Sequence, residues 1–142
     1  MSDLLRPQDL KKITQDTEMA KAQAATGQME REEQEARALH EAFMSRDVHP
    51  EVKQRLNTAV ASAAARGANE IMVLSFPASY CNDHGRRINN AEADWPDSLE
   101  GFAKAAMQYY EKELRPLGYR VEARVMDFPG GMPGTVGMFL RW

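Results

Sequence analysis

Cys81, Asp83, His84, Arg86, Arg87, Asn89 and Asn90 fall within ten consecutive residues. Their types offer several kinds of chemistry. Two adjacent guanidinium groups can clamp a carboxylate or phosphate through paired N–H donors, and the asparagines can orient the same anion by hydrogen bonding. Cys81 and His84 are the types that form a thiolate–imidazole pair. Cys81, Asp83 and His84 are also metal-ligating types. Each reading has a structural competitor. Glu92, Asp94 and Asp97 follow closely and can pair with both arginines, which would simply order the loop. Nucleophile and base usually come together from distant segments, and a lone cysteine after an apolar run reads as a small core residue. A structural zinc site needs four ligands at chelating spacings, and the chain lacks them. The glycines of Pro129–Gly134 show no phosphate-binding pattern and read as a turn. No GxSxG or HExxH occurs. The seven residues are therefore carried forward as a candidate site for a small anionic ligand. No catalytic residue, metal or cofactor is assigned.

The elements on either side give this segment its setting. Ile71-Met72-Val73-Leu74-Ser75-Phe76 is an apolar run that reads as a central strand over 70–77. The polar stretch 78–93 follows it, long for a connection in a compact domain. Asp94 is placed to cap a helix over 95–117, with Pro96 in its first turn and Asp97 against the dipole. Leu99, Phe102, Ala103, Ala106, Met107, Tyr110, Leu114 and Leu117 form its apolar stripe. The segment thus lies between a strand end and a helix start, the usual ligand side of an open α/β sheet.

Before this unit, Val52, Leu56, Ala59, Val60 and Ala63 predict a helix over 50–66, ended by Gly67. After it, Tyr119, Val121, Ala123 and Val125 alternate with charged residues. The turn at 129–134 then leads to Val136, Met138, Leu140 and Trp142 on one face, a hairpin signature. The strand–helix–strand connection predicts a parallel pair. The expected fold class is α+β: a long N-terminal helical segment, then an α-β-α-β-β two-layer domain with a small mixed three-stranded sheet. Open sheet edges invite pairing with a second copy.

Residues from Pro7 to Arg46 read as helix, either continuous or broken near Thr26-Gly27. Pro7 suits a first helical turn, and strong helix formers follow it. Leu10, Ile13, Thr17, Ala20, Ala24 and Gly27 recur at three- and four-residue steps, a shallow heptad-like seam. Ala36, Leu39 and Phe43 form a second stripe. Such a helix needs a partner surface, because helical stability in proteins comes mainly from packing an apolar face. Leu10, Ile13, Ala20, Ala24, Leu39 and Phe43 are the candidate interaction residues, on a helix that docks a protein partner or a second copy, or else its own C-terminal domain.

Composition bounds the function classes. The chain has 142 residues, 43% apolar and 27% charged, with a net charge of −3. Residues 1–47 hold 7 Lys/Arg against 10 Asp/Glu, whereas residues 48–142 hold 11 of each. The expected division is thus an extended charged helical segment, 1–47, and a compact domain, 48–142. Neither part has the one-sided basic charge of a nucleic-acid binder. No apolar run is long enough to span a bilayer. Residues 1–7 lack the basic start and apolar core of a signal peptide, and one cysteine makes no internal disulfide. The expectation is a cytoplasmic, non-enzymatic homo-oligomer, a dimer, acting through its N-terminal helix. The alternative is a domain that binds or transforms a small anion at 79–97.

Overall fold

The computed structural model describes residues 4–142, which fall into two compact units divided between Glu41 and Ala42. The first unit belongs to a single helix, α1, Pro7–Ser45, 39 residues long. At 1.5 Å per residue it extends for about 58 Å. Thr26-Gly27 does not break it. Pro7 occupies the first helical position, where no N–H is required. The Arg6 N–H donates to the Asp9 carboxylate at 3.1 Å, which is half of a capping box. No residue of α1 is buried. Its last turn, Ala42–Ser45, groups with the second unit, because Phe43 packs there against Phe76, Tyr80 and Phe102.

The second unit contains α2 (Val52–Ala65), β1 (Glu70–Pro77), α3 (Arg86–Asn89), α4 (Gly101–Tyr109), β2 (Arg120–Val125) and β3 (Thr135–Arg141). The fold is α+β, as the periodicities predict. α2 ends in a Schellman arrangement: Ala68 N–H donates to the Ala63 carbonyl, and Gly67 N–H to that of Ala64, each at 3.0 Å.

The sheet departs from the expected mixed pairing. Its order is β1-β3-β2, and both neighbouring pairs are antiparallel. The crossover from β1 to β2 does run two strands in the same direction. However, the returning strand β3 inserts between them, so no parallel pair forms. β3 is the central strand, with Val136, Met138 and Leu140 all buried. β1 is an edge strand, against the expectation of a covered central one. Its continuous apolar run conceals a bulge: the register slips between Met72 and Leu74. Ile71, Leu74 and Phe76 pair beside the buried residues of β3, while Met72 and Val73 are 52% and 40% exposed. The hairpin β2–β3 closes on Asp127, whose carboxylate accepts the Thr135 N–H at 2.6 Å.

The long helix predicted from Trp95 is also revised. Trp95–Ser98 is a 3-10 turn, Leu99 is extended, and the helix proper begins at Gly101. Asp94 does not cap it, because its carboxylate faces Arg87 Nε at 3.6 Å. Leu99 leaves helical geometry and buries its side chain to 2% exposure in the core beside Cys81, Ile88 and Ala103. From Tyr110 the helix widens to a π turn and then tightens over Arg115–Leu117. Pro116, which has no N–H and crowds the preceding turn, accounts for the lost α pattern. Tyr110 is buried, and its hydroxyl donates to the Tyr119 carbonyl at 2.8 Å.

Alternate residues of the strands place Glu70, Glu122, Arg124 and Arg141 together. Arg124 Nη2 lies 2.6 Å from Glu70 and 3.1 Å from Glu122, and Arg141 Nη1 lies 3.0 Å from Glu122. The Arg124 guanidinium also covers the Phe139 ring at 4.2 Å. Hydrogen bonding from Arg124 lowers the pKa of both glutamates from their ordinary value. A carboxylate depressed in the folded state contributes stability above its unfolded pKa, about 4.3 for glutamate, and loses it as pH falls through the folded value. Thermal melts should therefore fall off below about pH 4, and Arg124→Gln should flatten that acid limb. An unchanged limb in the variant would show that the network is not coupled to folding. Partial solvent exposure keeps the effect modest.

Candidate functional site

The segment from Ser79 to Asp97 folds as a 3-10 turn, the single helical turn α3 and a second 3-10 turn. Asp83 organises it. Its carboxylate accepts the N–H groups of Gly85 and Arg87, each at 3.0 Å. The same carboxylate and that of Asp94 flank Arg87 Nε at 3.9 and 3.6 Å. Asn82 donates to the Asp97 carbonyl at 2.9 Å and to Glu100 at 3.3 Å. Ile88 and Cys81 turn inward to the core.

The seven candidate residues thus take different places. Cys81 is buried, and desolvation pushes its thiol up to about 11, so it is neutral at physiological pH. His84 is exposed, with a left-handed φ of 57°. Cysteine and histidine are not joined by any hydrogen bond between their side chains. Asp83 and Arg87 are brought together; Arg86, Asn89 and Asn90 are exposed. Among the described residues, no group of three His, Cys, Asp or Glu side chains is arranged to hold a metal ion. On α1, Leu10, Ile13, Ala20, Ala24 and Leu39 are exposed, whereas Phe43 is half-buried within the second unit.

A cleft lies elsewhere in the second unit. It has a volume of about 340 Å³ and opens between α2 and α4 above the sheet. Val52, Leu56 and Ala59, at helical i, i+4, i+7 spacing, form one wall. Phe102, Ala106 and Tyr109 form the other in the same way, and Leu74, Val121 and Met138 form the floor. Arg46, His49 and Arg55 also line it. The lining residues come from five stretches of the chain, 46–59, 71–74, 102–114, Val121 and 138–140. The only local trace is Arg55, which sits beside Leu56 within the apolar stripe of α2.

No family model, curated protein or solved structure matches this chain.

Proposed function

We propose that this protein acts by self-association through α1, two copies pairing their helices antiparallel. The observation that supports this is a 39-residue helix in which no residue is buried. Leu10, Ile13, Met19, Met29 and Leu39 are each at least 50% exposed. A helix of this kind gains stability by covering its apolar stripe.

Charge argues for a second copy and for its direction. Residues 6–21 carry Arg6, Lys11, Lys12 and Lys21 against Asp9, Asp16 and Glu18. Residues 30–41 carry Arg31 and Arg37 against Glu30, Glu32, Glu33, Glu35 and Glu41. The first stretch is net positive, the second is net negative, and 22–29 between them has no charge. An antiparallel pair sets unlike stretches together around that uncharged centre, where Ala24 and Gly27 allow close approach. A parallel pair sets the acidic stretches against each other. The single reduced thiol, Cys81, fits a cytoplasmic setting.

Sedimentation velocity on the full chain should give a dimer that weakens at high salt. Ala24→Glu, which puts a charge into the seam, should raise the dimer Kd at least about tenfold, equivalent to about 1.4 kcal/mol. Spin labels on Gln8→Cys should lie about 50 Å apart in an antiparallel dimer, from the 1.5 Å rise per residue. A parallel dimer would bring them within about 15 Å, given helix spacings of 8–10 Å. A monomer at every concentration would overturn the proposal.

A further inference from the structure

The cleft between α2 and α4 carries charge of one sign only. Among the described residues, its charged lining residues are Arg46 and Arg55, with no Asp or Glu. Asp47 and Glu51 are close in sequence but contribute nothing to its walls. Elsewhere in the second unit Arg87, Arg115, Arg124 and Arg141 have carboxylate partners within 4.0 Å, whereas Arg66, Arg86 and Arg120, which lie outside the cleft, share with Arg46 and Arg55 the lack of one among the described residues. Arg46 instead covers the Phe102 ring at 4.3 Å. His49 also lines the cleft, and its Nδ1 accepts the Glu51 N–H at 3.0 Å.

The walls are apolar yet incompletely covered. Of the α2 stripe only Ala63 is buried; Val52, Leu56 and Val60 are half-buried and Ala59 is exposed. α2 is therefore seated at its C-terminal end and leaves its apolar face open towards Val52, where the two arginines stand. Uncovered apolar surface beside unpaired cations, in a chain of net charge −3, matches one ligand chemistry: an apolar body that ends in an anion.

We propose that this cleft is a binding site for a small amphipathic carboxylate. Its alkyl or aryl body lies between Leu56, Ala106 and Met138, and its carboxylate meets Arg46 and Arg55. Paired guanidinium N–H donors suit a carboxylate. The volume falls at the low end of the range for small-molecule sites, roughly 300–1,000 Å³, and so fits a body of about ten carbons. The site is independent of α1 association.

The test is a two-dimensional NMR titration of the full chain with decanoate below its micelle concentration, alongside decan-1-ol and decyltrimethylammonium. Decanoate should bind at least about tenfold more tightly than decanol, and the cation most weakly. Amide shifts should concentrate in 52–59 and 102–110. In Arg46→Gln/Arg55→Gln, decanoate should fall to the decanol level while decanol is unchanged. Ala59→Trp, an exposed position at the cleft wall, should block both. Arg55→Gln alone should lower decanoate affinity even if the double variant folds poorly. The proposal is overturned if decanoate binds no better than decanol, if the double variant keeps the preference, or if the shifts map to α1. Concentration-dependent shifts of the cleft amides without ligand would also overturn it, because they would mean that a second copy fills the cleft.

Discussion

Gly101→Ala is expected to destabilise the 42–142 unit by about 3 kcal/mol, from a left-handed penalty of about 1–2 and overpacking of about 1–3. Gly101 has φ +57°, and a Cβ there would stand 2.7 Å from Met44 Cα and 2.8 Å from the Phe43 carbonyl oxygen. These are backbone atoms, so no rotamer change relieves the contact. Either the last turn of α1 or the first turn of α4 must shift. For a domain of this size the melting temperature should drop by on the order of 15 °C. Gly118→Ala supplies the comparison. It has φ +102° but nothing within 4 Å of the added carbon, so it should lose only the conformational part, about 1–2 kcal/mol. Equal losses for the two variants would mean that α1 and α4 do not meet at this point. The contact also explains why the helix begins here: only glycine admits the α1 backbone so closely.

That start was not legible in the sequence. Asp94-Trp95-Pro96-Asp97 carries every local mark of a helix N-terminus, and the local marks are followed, but only for one 3-10 turn. What overrides them is non-local: Arg87 takes the Asp94 carboxylate, and burial of Leu99 needs an extended residue. The hairpin was legible because alternation at Val121, Ala123 and Val125, and again at Val136, Met138 and Leu140, depends on each strand's own two faces. The strand order was not. A run such as Ile71–Leu74 looks alike on a covered central strand and on a bulged edge strand, and β3 decides between them by entering from the far end of the chain. The same limit hid the cleft. The stripe on α2 is plain in the sequence, but how far it is covered depends on where α4 lies. At 79–97 the residue types that suggested an anion site were readable. The capture of Arg87 by Asp83 and Asp94 depends on the fold of the loop.

Phe43→Ala is expected to cost the same unit about 3 kcal/mol, at the low end for a phenylalanine truncation because the ring is only half-buried. The ring centroid lies 5.3 Å from that of Phe76, 4.9 Å from Tyr80 and 6.1 Å from Phe102, so one side chain bridges β1, the loop after it and α4. Leu39 lies one turn earlier and is 68% exposed; Leu39→Ala should change the stability of the 42–142 unit, measured on the monomer, by no more than about 0.5 kcal/mol. Helix propensity cannot produce the difference, because alanine favours helix more than either residue does. The comparison therefore locates where α1 stops being an exposed helix and becomes part of the folded second unit. Urea melts of the two full-length variants measure it, and equal midpoints would mean that the last turn of α1 is not held by the aromatic cluster. The Phe43→Ala/Gly101→Ala double variant carries the argument one step further. If both residues act by seating the same turn, releasing it once leaves little for the second change to remove. The double loss should then fall short of the sum of the single losses by at least about 0.5 kcal/mol, the threshold for coupled neighbours. Strict additivity would separate ring packing from the glycine contact and make them two independent contacts of the turn Ala42–Ser45 within the second unit.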